Sequence, residues 1–185
     1  MPGLLTVAPS NPKDAYGLLK TAIRNDNPVI FLESEKLYNV QGELPEEEFT
    51  IEFGKANIVQ EGNDVTILTW SYTMQIVLEA VALLEKENIS VELIDVRSLH
   101  PLDEDTIIKS VQKTNHAVIV QEAWPIASFG DHLTRVISTK AFDYLDAPVE
   151  LISSKPVPMP YSFPLEEATL PSAARVGKAV KRCLS

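Results

Sequence analysis

The chain has a single cysteine, Cys183, in 185 residues. One thiol excludes an internal disulfide framework and any Cys-rich metal site. It lies two residues from the end, a poor place for a catalytic nucleophile, although Lys181 and Arg182 beside it would lower its pKa a little. Cations are also scarce: 16 Lys and Arg against 26 Asp and Glu leave a formal charge of −10. That balance argues against nucleic acid as a general partner, because phosphate binding needs clustered Lys and Arg. It argues equally against an anionic membrane surface. No apolar run approaches the ~18 residues of a membrane helix. Met1-Pro2-Gly3-Leu4 lacks the charged and apolar regions of a signal peptide. There is no P-loop, no Gly-x-Ser-x-Gly elbow, no His-Glu-x-x-His and no Gly-x-Gly-x-x-Gly. The three histidines, His100, His116 and His132, stand in three different segments, so spacing alone assembles no triad or metal site.

What is present is ordinary globular composition: 45% hydrophobic residues and a mean hydropathy of zero. The length suits one domain, or one plus part of another. Leu4 to Val7 reads as a strand, Asp14 to Arg24 as a helix with Leu18, Leu19, Ala22 and Ile23 on one face, and Val29 to Leu32 as a buried-type strand. Residues 4 to 33 are thus β-α-β. Further strands are expected at Lys55–Val59, Val65–Trp70, Val91–Val96, Ala117–Val120 and Val149–Ile152. Helices are expected at Met74–Glu87, with Ser71 or Thr73 as N-cap, at Asp103–Lys113, at about Asp131–Thr139 after a Gly130 turn, and at Ser172–Leu184 with Pro171 in the first turn. Pro156 to Pro160 reads as an extended connector. Strands alternating with helices give an α/β fold: a three-layer, open, mostly parallel sheet with helices on both faces. The near-continuous apolar runs at 65–70 and 117–120 fit strands covered on both sides.

Between residues 33 and 52 seven glutamates face one lysine, Lys36. This is read as an exposed connector, with a docking site for a basic partner as the alternative. Beyond the 117–120 strand, Gln121 to His132 leaves the end of a central strand, where open α/β sheets bind ligands. Glu122 and Trp124 there suit a ligand or a subunit interface, since Trp concentrates at interface cores. The alternative is a packed loop plugged by Trp124. Gly130-Asp131 could begin a thiamine diphosphate motif, but no asparagine follows Asn115 to complete it.

Six segments, in order, carry a resemblance. They are Asp14–Lys20, Ala22–Val29, Lys113–His116, Glu122-Ala123-Trp124-Pro125, Tyr144-Leu145-Asp146-Ala147-Pro148 and Val157–Tyr161. Together they resemble β subunits of the decarboxylating component of pyruvate dehydrogenase over essentially the whole chain. The resemblance implies that residues 1–45 are the last β-α-β unit of a pyrimidine-binding domain, 46–54 an acidic linker, and 55–185 a transketolase C-terminal-type domain. It implies thiamine diphosphate and Mg in the assembled enzyme, with the activating glutamate and catalytic histidine of this subunit upstream of Met1 and the diphosphate held by a partner α subunit. The assembled reaction would be pyruvate decarboxylation with reductive acetylation of lipoyl groups, in the mitochondrial matrix or bacterial cytoplasm. The chain alone would be inactive. A branched-chain 2-oxo acid or acetoin dehydrogenase, or a non-catalytic assembly domain, is the alternative.

Two features carry over by matching position. The family builds a monovalent cation site, for K, at Ala22, Asn25 and Asn27. Helix-end carbonyls suit a hard cation, although Asn25-Asp26-Asn27 stands where the family has Asp-Asn-Asn. The family also docks the subunit-binding domain of the dihydrolipoyl acyltransferase core through acidic groups, here Asp146 and the terminal carboxylate of Ser185. Asp146 could instead cap the turn before Pro148. A second β subunit is the remaining implied partner. The family commonly has arginine where His100 stands.

Overall fold

The computed structural model describes residues 3–185. The main sheet has the order β3-β5-β4-β7-β8: Asn57–Gln60, Val91–Asp95, Val65–Thr69, Ala117–Val120 and Glu150–Ile152. The last four strands are parallel, and β3 pairs antiparallel to β5 at one edge. Every residue of β4, β5 and β7 is buried, because helices cover both faces. On one face Ile67, Leu93, Val118 and Val120 meet α2 (Thr73–Glu85) and α6 (Ala173–Cys183). On the other, Leu68, Ile94 and Ile119 meet α3 (Glu104–Thr114) and α4 (Phe129–Lys140). The alternation of these strand residues is the period-2 rule acting on a two-sided core.

The N-terminal unit is β1 (Leu5–Val7), α1 (Pro12–Ile23) and β2 (Val29–Phe31), with β1 and β2 parallel as expected. A strand absent from the sequence reading, β6 (Ser98–His100), crosses from the C-terminal half and pairs antiparallel to β1. The resulting sheet, β2-β1-β6, fastens the unit to its own chain. β2 is not the buried strand expected: it lies at the sheet edge, with Ile30 exposed. Leu19 and Ile23 of α1 also face solvent, Ile23 at 75%, so only Leu18 of the expected face reaches the core.

The acidic stretch keeps most of its carboxylates in water, but its backbone is fixed. Glu48 pairs with Lys20 and Arg24, Phe49 stacks on Tyr16, and Ile51 donates its N–H to Gly17 O at 3.2 Å. Farther up, a single 3-10 turn at Glu35–Leu37 sets Lys36 against Glu166 and Glu167 of α5 (Phe163–Thr169). That short helix lies beyond the extended 156–160 segment and was not expected.

Several expected local details differ. Neither Ser71 nor Thr73 caps α2; Tyr72 holds that position without a side-chain bond, and the Thr73 hydroxyl donates to Trp70 O. Gly130 is not a turn residue but the second residue of α4, where Ser128 caps and Asp131 completes a capping box. A Cβ there would lie 2.6 Å from Leu151 and 2.8 Å from the Gln121 amide, so glycine serves close packing. Pro171 sits before the cap Ser172 rather than in the first turn of α6.

Candidate functional site

The loop after β7 is organised by Gln121, which is fully buried. Its Nε2 donates to Ser128 Oγ (2.6 Å) and Ser153 Oγ (2.9 Å), and its Oε1 accepts the Gly130 N–H (2.8 Å). Ser154 N–H donates to Ala123 O at 3.2 Å, tying the end of β8 to the same loop. This amide hub was missed in sequence; a glutamine directly after an all-apolar strand is its only trace. The hub turns Glu122, Trp124 and Ile126 outward. Trp124 is 51% exposed and Ile126 is exposed, so the loop is not plugged by its tryptophan. The following connector adds exposed Val157, Met159, Tyr161, Phe163 and Leu165. Though exposed, Glu122 is held above the usual carboxylate range, chiefly by partial desolvation, with Lys36 opposing and Glu166 adding to it. Large aromatic and aliphatic groups in water beside a few charges are the composition of an interface.

A second face lies at the opposite end of the sheet, where β7 and β8 begin. Asn115 ends α3 in the left-handed conformation (φ 61°). Its carbonyl accepts the Asp146 N–H (3.0 Å) and its Nδ2 donates to Tyr144 O (2.6 Å). The loop 142–148 is thereby clipped to the α3–β7 turn. Asp146 is exposed, and among the described residues its carboxylate has no hydrogen bond or ion pair, so it does not cap the turn before Pro148. Beside it Phe142, 72% exposed, lines an open groove of about 560 Å³ together with Leu145, Pro148 and Val149. Ser185 ends the chain at the same edge, where the Cys183 thiol faces Ala117 O. The basic tail of α6 is neutralised there: Arg182 grips Glu150 through two nitrogens (3.1 and 2.7 Å), and Lys181 pairs with Glu87 (2.6 Å). Cys183 itself is buried. Burial, with Glu150 adding, pushes its thiol up to about 11 and outweighs the lowering that Arg182 supplies.

Ala22, Asn25 and Asn27 do come together at the end of α1, but as a self-satisfied turn. Asn25 N–H donates to Ala22 O (3.3 Å), and Asn25 Oδ1 accepts from Asn27 N (2.9 Å) and Nδ2 (3.1 Å). Ala22 O and Asn25 Oδ1 each accept bonds within this turn. Among the described residues no group of three or more His, Cys, Asp or Glu side chains could hold a metal ion. No helix of the described residues is long and apolar enough to cross a membrane.

The comparisons agree with this anatomy. Residues 54–176 match the transketolase C-terminal domain, and residues 1–41 match the transketolase pyrimidine-binding domain. The chain is 49% identical to the pyruvate dehydrogenase E1 component subunit beta of Rickettsia felis, covering 98% of this chain and 56% of that protein. It is 44% identical to the mitochondrial pyruvate dehydrogenase E1 beta subunit of Saccharomyces cerevisiae, covering 100% of this chain and 52% of that one. It is 45% identical to an acetoin:2,6-dichlorophenolindophenol oxidoreductase subunit beta of Bacillus subtilis, covering 95% and 52%. A solved split-gene transketolase, described as an inactive beta4 tetramer, superposes with a TM-score of 0.82 at 26% identity, covering all of this chain and 58% of that one. The chain thus spans about half the length of the curated relatives it matches. By its matched domain, its sheet order and its relatives, the chain belongs to the transketolase C-terminal domain family and is similar to pyruvate dehydrogenase E1 beta subunits.

Proposed function

We propose that the chain is the assembly- and docking-bearing part of a pyruvate dehydrogenase-type β subunit. It divides into a part of the pyrimidine-binding domain (1–45), the acidic segment (46–54) and the C-terminal domain (55–185). The Trp124 face receives subunits of the decarboxylating component, an α subunit or a second β subunit. The Asp146 face receives the small basic subunit-binding domain of a dihydrolipoyl acyltransferase core, with the Ser185 carboxylate assisting. The assembled enzyme decarboxylates pyruvate and reductively acetylates lipoyl groups. Its thiamine diphosphate and Mg are held largely by the α subunit. It works in the mitochondrial matrix or bacterial cytoplasm, as relatives of both kinds suggest. K would be held at the end of α1 by the carbonyl oxygens of Ala22, Asn25 and Asn27.

The observation that carries the docking reading is the free, exposed Asp146 carboxylate beside an apolar groove. An anion without an internal partner, next to Phe142, offers a cationic helical domain both steering and a hydrophobic anchor. Calorimetric titration with the isolated subunit-binding domain tests it. Asp146→Ala should weaken binding by about 2–5 kcal/mol if the contact is desolvated; unchanged affinity removes the reading. The second reading, an acetoin dehydrogenase β subunit, rests on the 45% identity to the Bacillus subtilis protein. Substrate-dependent dye reduction after reconstitution with α subunits, comparing pyruvate and acetoin, separates the two.

A further inference from the structure

The join between the N-terminal unit and the larger domain contains a closed ring of polar groups. Ser10 Oγ donates to Asp95 Oδ2. Asn11 Nδ2 donates to Asp14 Oδ2 (2.7 Å) and approaches Ser10 Oγ (3.3 Å). Arg97 Nη1 donates to Asp14 Oδ1 (2.8 Å), and the Arg97 backbone N–H returns to Asp95 Oδ1 (3.1 Å). Three members, Ser10, Asn11 and Asp14, belong to the start of α1. Asp95 ends β5, and Arg97 follows it with a positive φ of 36° that turns its side chain back over the join. Arg97 Nε also holds Lys55 O (2.9 Å).

The charges in this ring do not balance. Asp95 and Asp14 are both buried, and among the described residues Arg97 is the one cation bound to either. Its guanidinium is committed to Asp14 and to the Lys55 carbonyl. Asp95 is left with a hydroxyl and a backbone amide. Its in-register neighbours, Asn57 on β3 and Thr69 on β4, do not titrate. The Lys55 and His100 residues lie exposed on the adjoining segments. Two buried anions with one cation leave an uncompensated charge in low dielectric, which is costly enough to be avoided by binding a proton.

We propose that this ring is a proton-operated clasp between the β1-α1-β2 unit and the five-stranded domain, closed most firmly while Asp95 carries a proton and weaker as that proton is lost. The proposal concerns the chain itself and does not depend on its partners. Burial, with Asp14 adding to it and the Ser10 hydroxyl opposing it, pushes the Asp95 carboxyl up to about 7. When the β1-α1-β2 unit undocks, Asp95 at the end of β5 meets water and ionises near its ordinary value of about 4. Between those two values opening releases one proton. Opening therefore becomes easier as pH rises through this window, and stops changing once the closed form is itself ionised.

Amide hydrogen exchange of the full chain from pH 5 to 8, corrected for intrinsic rates, reads this directly. The opening constant for residues 5–31 should rise about tenfold between pH 5 and 6 and level off above neutrality. Amides of β4 and β7 should show no such trend. Asp95→Asn, which holds the neutral form, should keep residues 5–31 protected and abolish the pH dependence. A flat wild-type profile, or a slope that survives in Asp95→Asn, overturns the proposal. If that variant fails to fold, a carboxyl carbon NMR titration of wild-type Asp95 decides. A midpoint near neutrality supports the clasp, and one in the ordinary carboxylate range overturns it.

Discussion

Replacing Gln121 by leucine keeps nearly the same volume and removes only the amide. The wild-type amide makes three bonds, to Ser128 Oγ, Ser153 Oγ and the Gly130 N–H. At about 1 kcal/mol net each, their loss amounts to roughly 3 kcal/mol. Two of the partners then fare badly. The Gly130 amide lies in the packed first turn of α4, and Ser153 is buried with no other side-chain bond among the described residues. Each stranded group costs about 1–3 kcal/mol, whereas Ser128 keeps its exchange with Asp131. The added apolar side chain returns about 1–2 kcal/mol. The stranding cost replaces the net bond value at those two groups, so about 2–6 kcal/mol for them and about 1 for Ser128, less the roughly 1–2 returned, leaves a net loss of about 3 kcal/mol. Urea denaturation followed by circular dichroism should show the midpoint falling while the slope with denaturant is unchanged. A loss under about 1 kcal/mol would refute the reasoning that this amide, rather than apolar packing, holds the Trp124 loop.

Two further outcomes follow from buried charge. Glu92 is 2% exposed, and its burial pushes its pKa upward, yet Lys113, Ser110 and the Gly62 N–H together hold it below the usual range. A depressed folded pKa stabilises above the unfolded value and loses that contribution as pH falls. Lys113→Met should therefore cost about 2 kcal/mol at pH 7, reduced from the fully buried case because Lys113 is partly exposed. The difference from wild type should shrink toward pH 3 in acid-titrated urea melts. Cys183, with its thiol near 11 and buried, should resist maleimide labelling at pH 7 in the folded chain and react once urea unfolds it.

Much of the architecture was legible because it is written in short-range pattern. The continuous apolar strands β4 and β7, and the spacing of Val77, Ala80, Val81 and Leu84 in α2, report their own burial without reference to the rest of the chain. What was not legible depends on partners distant in sequence. Ser98-Leu99-His100 has no strand signature in three residues and becomes β6 only because Thr6 lies alongside. Asp95 sits in a run, Val91 to Val96, where an acid suggests an exposed position, yet it faces Ser10 across the join. The tail of α6 looked basic because Glu150 and Glu87, which neutralise Arg182 and Lys181, come from other elements. Asp146 was a candidate from its motif alone. That its carboxylate is unengaged could come only from the loop geometry set by Asn115.

The antiparallel pairing of β1 with β6 sets an order of events during synthesis. β2 follows β1 within one helix, but the strand on β1's other side arrives about ninety residues later. At a translation rate of roughly 5–20 residues per second, β1 has an open edge for several seconds after it is made. In that interval the early β-α-β unit offers backbone donors and acceptors to any neighbouring chain. The glutamates that follow it, from Glu33 to Glu52, are in place well before Ser98 emerges. Like-charge repulsion between nascent copies is thus available during the period when the unit most needs to remain solitary.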